Sequence, residues 1–131
     1  MKRYYILLLT SLALVSSCQE NLEDRAERET REFTKKNCPL RVADGIMNDS
    51  ITFDKNTRTI HYFYTISGPS DTDAIDSNEA ESKLIKGVKD ATSIKKYKEN
   101  DFNFAYTYYS TKQKGKKLID ITVTPELYNK K

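Results

Sequence analysis

Apolar positions recur along this chain with three different periods, and each period predicts a different element. Ile6 to Val15 is an almost unbroken apolar run behind Lys2 and Arg3. A membrane-crossing helix needs about 20 such residues, so the run is too short to span and fits the core of a secretory signal peptide. From Ser77 to Ala91 the residues Ala80, Leu84, Val88 and Ala91, with Ile85 beside them, return at helical spacing. That spacing predicts the best amphipathic helix of the chain. Elsewhere apolar residues alternate, the strand period. Arg58 to Ile66 sets Ile60, Tyr62, Tyr64 and Ile66 on one face, with His61, Phe63 and Thr65 on the other. Phe102, Phe104, Tyr106 and Tyr108 alternate with Asn103, Ala105, Thr107 and Tyr109, and Leu118 to Thr124 turns Ile119, Ile121 and Val123 inward.

The residues between these runs supply the punctuation. Leu22 to Lys36 is highly charged, with Asp24/Arg28, Glu27/Arg31 and Glu32/Lys36 at i, i+4 and the acid first, which supports a helix. Its apolar stripe, Leu22, Ala26 and Phe33, is thin, so this helix is expected either to stand in solvent as a spacer or to dock through Phe33. Pro39 ends it, because the residue before a proline avoids helical geometry. Leu40 and Val42 form a short strand that Asp44-Gly45 breaks. Ile51 to Phe53 runs through the polar turn Asp54–Thr57 into the Arg58 strand as a hairpin. Asp76 and Glu79 make a capping pair at the start of the amphipathic helix, inside which Gly87 marks a place where the sheet is expected to come close. Lys95 to Asn100 is a polar connection, Lys112 to Lys117 a basic turn around Gly115, and Pro125 stops the last strand.

The order helix, strand, hairpin, helix, hairpin predicts an α+β fold. It has a single domain, an antiparallel sheet of two hairpins packed by one amphipathic helix, and a charged helix in front. The boundaries are 1–17 for the signal peptide, 18–37 for a charged tether or helix, and 38–131 for the domain.

Charge changes the picture only once the signal peptide is set aside. The full chain of 131 residues carries a formal charge of +3. Cleavage after Ser17 removes Lys2 and Arg3, leaving 114 residues with 20 basic against 19 acidic groups. The basic balance is therefore no footprint of nucleic acid. Val15-Ser16-Ser17-Cys18 resembles a bacterial lipobox, and the resemblance implies cleavage before Cys18 and lipidation of its sulfur. Gln19-Glu20-Asn21-Leu22-Glu23-Asp24 looks like the acidic export signals of some surface lipoproteins. An outer-membrane, surface-exposed anchor is expected from it, with a periplasm-facing one as the alternative. With Cys18 consumed by lipid, Cys38 is left as an unpaired thiol.

Candidate chemistry is sparse. Cys38 and His61, the one histidine, could in principle form a nucleophile and base, but no third orienting group can be named. One histidine also argues against zinc. Asp71, Asp73, Asp76 and Glu79 could offer carboxylates to calcium, yet lack the glycine and closing glutamate of an EF-hand loop; they read better as a solvated loop and helix start. No metal, cofactor or catalytic residue is therefore expected. The candidate partner-binding residues are Gly68 and Pro69 in one loop, Gly115 in another, Tyr97 among Lys95, Lys96 and Lys98, and Tyr109 on the second sheet face. Tyrosine is favoured at interfaces.

Asn37-Cys38-Pro39-Leu40-Arg41-Val42-Ala43-Asp44, Tyr62-Phe63-Tyr64-Thr65, Tyr106-Thr107-Tyr108 and Ile119-Asp120-Ile121-Thr122-Val123-Thr124-Pro125 together resemble an uncharacterised family of small exported bacterial proteins. Late cysteines of some members are missing here. The resemblance implies an α+β fold and export, and carries no catalytic residues. The function expected is a lipid-anchored, non-enzymatic binding or assembly module with an envelope or extracellular protein partner. The alternative is a small lipoprotein inhibitor of a secreted protease or toxin, acting through the Gly68 or Gly115 loop. A thiol hydrolase using Cys38 and His61 comes third.

Overall fold

A computed structural model describes residues 20–131; the signal peptide, the cleavage site and Cys18 lie outside the described residues. The element order is α1 (Leu22–Asn37), β1 (Leu40–Ala43), β2 (Ile46–Asp54), β3 (Thr59–Ile66), α2 (Ser77–Asp90), α3 (Lys95–Glu99), β4 (Asn103–Ser110), β5 (Lys117–Val123) and α4 (Pro125–Tyr128), with one 3-10 turn at Gly68–Ser70. The five strands form one sheet in chain order. The fold is α+β, as the periodicities predict.

One pairing differs from a purely antiparallel expectation. β1–β2, β2–β3 and β4–β5 are antiparallel, but β3 and β4 pair in parallel from Thr59↔Asn103 to Ile66↔Ser110. The cause is the connection. α2 carries the chain back to the end where β3 began, and a strand entered from that end must run parallel to it.

Local chemistry accounts for the helix limits. Asn21 caps α1 by accepting from the Asp24 amide at 2.8 Å, and Cys38 leaves it in extended geometry before Pro39. Asp76 caps α2 through the Asn78 and Glu79 amides at 2.9 and 3.1 Å. A Cβ at Gly87 would meet nothing within 4 Å, so the expected close approach of the sheet there is absent. Gly45 is the position that demands glycine. Its φ is +71°, and a Cβ would lie 2.4 Å from the Ser67 carbonyl oxygen.

The four helices of the described residues cover the same face of the sheet. The core joins Ala26 of α1, Val88 of α2, Tyr97 of α3 and Tyr128 of α4 to Ile60, Phe104 and Val123 of the strands, with Phe102 between. Phe102 and Phe104 are fully buried, and truncating either to alanine costs about 3–5 kcal/mol. The charged helix α1 is therefore no free spacer. Ala26 and Thr30 are buried against β2, and Thr34 ties the helix down by donating to the Ile51 carbonyl and accepting from the Ile51 amide, both at 2.9 Å.

Candidate partner-binding surfaces

The helices leave the sheet unevenly covered. α1 packs on β2 and α2 on β5, so the middle strands β3 and β4 lie between them. Tyrosines from these strands meet there across the parallel pairing. The Tyr62 and Tyr106 rings stack at 4.9 Å and Tyr64 and Tyr108 at 4.4 Å, each pair within 10° of parallel. Stacking of this kind contributes about 0.5–1.5 kcal/mol beyond area burial. All four are only half-buried, although they share the core face. Burial pushes the Tyr62 hydroxyl up to about 12 and raises those of Tyr64, Tyr106 and Tyr108 as well. The phenols therefore stay neutral and can donate to a partner. Where this floor meets α1 and α3 lies a cavity of about 180 Å³ edged by Phe33, Ile94 and Tyr97.

The opposite face carries no described helix. His61 stacks on Phe63 at 3.9 Å, and its Nε2 lies 2.7 Å from Thr107 Oγ1, which donates to Asp120 Oδ1 at 3.0 Å. Alternation places these residues, with Ala105, on one face, and register aligns Phe63, Thr107 and Asp120 in a row. Thr107 is 1% exposed, so its hydroxyl is buried between His61 and Asp120, while the Asp120 carboxylate reaches solvent beside Lys117. Desolvation lowers the His61 pKa, against a raising contribution from Asp120. Tyr109 lies on this face and is half-buried.

The end of the sheet away from the α1 N-terminus gathers the two loops singled out from sequence. Asp71, following Gly68 and Pro69, is buried. Its carboxylate accepts from the Ser110 hydroxyl at 2.6 Å and from the Thr111 and Lys112 amides at 3.0 and 2.8 Å. The Ser110 hydroxyl and these two amides hold the Asp71 carboxyl below its usual range against the cost of desolvation. Lys116 pairs with Asp73. The Gly68-Pro69 loop and the Gly115 turn are thus one surface, a grouping that residues about 40 apart in sequence do not advertise.

Other candidates resolve differently. Tyr97 is buried, and its hydroxyl donates to Glu29 at 2.8 Å, so its role is to join α3 to α1. Cys38 and His61 are not brought together. The Cys38 thiol donates to Asn48 at 3.5 Å on the helix-covered face, where Asn48 pairs with Tyr64, while His61 occupies the opposite face. Burial also pushes the Cys38 thiol up, away from the thiolate a nucleophile needs. The acidic loop is spent on protein donors. Asp71 and Asp73 are engaged as above, Asp76 caps α2, and Glu79 pairs with Lys83 at 3.0 Å. No cluster able to hold a metal is found among the described residues.

Comparison with known proteins places this architecture. The chain shares its fold with the pilotin EpsS of the Vibrio vulnificus type 2 secretion system (14% identity, TM-score 0.65, covering 83% of this chain and 93% of that one). It is similar to the type 2 secretion system pilotin AspS of Vibrio cholerae (16%, 0.61, 82% and 92%). A Pseudomonas aeruginosa protein described as a candidate secreted protein also shares the fold (12%, 0.63, 84% and 99%). No curated protein matches the chain by sequence. Residues 21–119 match the family described as "Domain of unknown function (DUF8479)", and the chain belongs to that family.

Proposed function

Starting from a member of that family whose fold is shared with secretion pilotins, we propose that the chain is a lipid-anchored assembly module of the cell envelope. Cys18 carries the lipid, the outer membrane holds it, and the domain engages an envelope protein without chemistry of its own. The observation that carries this reading is the likeness of 83% and 82% of the chain to two proteins named as pilotins of type 2 secretion systems. Supporting it, the thiol and the imidazole that a hydrolase would use are each committed to structural partners on opposite sheet faces. Several acyl chains on a bacterial lipoprotein give stable anchoring, where one binds only reversibly. The acidic residues after Cys18 are the reason for placing the anchor at the cell surface.

The test is in-cell cross-linking followed by purification of the lipidated protein and mass spectrometry. An integral envelope protein recovered near stoichiometry with the wild type, and lost with Cys18→Ala, is the expected result. Recovery of a secreted protease instead, or loss of nothing on removal of the lipid, overturns the reading.

A further inference from the structure

The start of the domain is tied down closer to Cys18 than a tether would be. Glu20, the first residue described, is already folded back on α1, its carboxylate taking Arg28 Nη2 at 2.5 Å and Nε at 3.1 Å. Asn21 then caps the helix. Gln19 alone separates Glu20 from Cys18, and two residue steps reach at most about 7 Å. A lipid on Cys18 therefore holds the N-terminal end of α1 against the headgroups.

The rest of that end is identified by its contacts. The turn between β2 and β3 meets the first turns of α1. Lys55 pairs with Asp24 at 2.8 Å and Glu27 at 3.0 Å, and Arg58 Nε lies 3.1 Å from Glu23 in an ion pair too bent for a hydrogen bond. Asn103, opening β4, donates to the Thr57 carbonyl at 2.9 Å. Each acid of the segment after Cys18 has a cationic partner: Glu20 pairs with Arg28, Glu23 with Arg58, and Asp24 with Lys55, which Glu27 shares.

Resting on the lipidation reading, we propose that the lipid surface itself is the partner of this end. The short anchor presses the Lys55–Arg58 turn onto the headgroups and stands the strands away from the bilayer. β3 alone then lifts the opposite end by about 25 Å at the strand rise. The Gly45, Gly68 and Gly115 turns become the membrane-distal tip, and the helix-free face of the sheet stays open to a partner approaching from the side.

The experiment uses the full lipidated protein in vesicles containing a headgroup-attached quencher, in a Cys38→Ser background. A bimane label is placed at Asn56→Cys in the near turn or at Lys114→Cys in the far one. Both side chains are exposed. Quenching at least threefold stronger at position 56 is expected, and a twelve-residue Gly-Ser spacer inserted after Gln19 should abolish the difference. Equal quenching at both positions, or a difference that survives the spacer, overturns the proposal. Intact mass of the mature N-terminus separates the two readings. A protein without lipid removes the lipidation reading and the orientation with it, while a lipidated protein with equal quenching removes the orientation alone.

Discussion

The Tyr97 hydroxyl donates to the Glu29 carboxylate at 2.8 Å, joining the short helix before β4 to the first helix across 68 residues. Tyr97 is buried and packs on Phe102, so α1 is fastened to the core from the α3 side as well as from β2. Tyr97→Phe keeps the ring and loses one hydrogen bond, a cost of about 1 kcal/mol readable as a lower urea midpoint. Burial on its own would raise the Glu29 pKa, but hydrogen bonds from Arg25 and Tyr97 hold it below its ordinary value. The stability Glu29 contributes is then full above the unfolded value of about 4.3 and is lost as pH falls through the lower folded value. Glu29→Gln should show a shallower acid limb; superimposable limbs would refute the pairing.

Thr34 serves as a one-residue strand partner for the outer edge of β2. Both of its bonds go to Ile51, one donated and one accepted. Thr34→Val conserves shape and forfeits both, which at about 1 kcal/mol each costs about 2 kcal/mol. Thr34→Ser should restore most of that. Equal urea midpoints for Val and Ser variants would show that the hydroxyl contributes nothing.

The Asp71 carboxylate holds the Gly68 and Gly115 loops together. Asp71→Asn should accelerate amide exchange at Thr111 and Lys112, whose N–H groups lose an ionised acceptor. Because the folded pKa is depressed, the stabilisation is complete above the unfolded value of about 3.9 and fades as pH falls through the folded one. The gap in melting temperature between wild type and variant should therefore close in acid. A constant gap contradicts the account.

On the open face, desolvation favours neutral His61. A base with a depressed folded pKa contributes stability that is full above the unfolded value of about 6.5 and is lost as pH falls through the folded one. NMR should place the imidazole titration below 6.5. His61→Gln should remove the corresponding part of the stability slope. A titration at or above 6.5 would mean that Asp120 outweighs burial.

Cys38 should alkylate more slowly at pH 8 than a free cysteine, because burial raises its pKa and lowers its thiolate fraction. Cys38→Ser should leave the fold intact. Rapid alkylation of the folded protein would reopen a reactive role for this thiol.

What the chain alone determined is everything governed by neighbours within a turn or a strand. Asp76 and the Ala80–Leu84–Val88 stripe specify α2, the alternation from Ile60 to Ile66 specifies which face of β3 is buried, and Pro39 closes α1. These are local steric and hydrogen-bonding preferences, written in adjacent residues. The short helices α3 and α4 escaped this reading because one turn offers no period to detect, and Pro125, which ends a strand, also suits the first turn of a helix.

Tertiary structure decided what covers each face and which distant groups meet. An apolar stripe as thin as that of α1 states that something is buried but not against what. The answer came from Ile51, Glu29's partner Tyr97, and the ion pairs with Lys55 and Arg58. The same holds for the parallel joining of the two hairpins, the union of the Gly68 and Gly115 loops through Asp71, and the separation of Cys38 from His61 on opposite faces. Each depends on which ends and edges the return of the chain through α2 brings together, and no short-range preference encodes that.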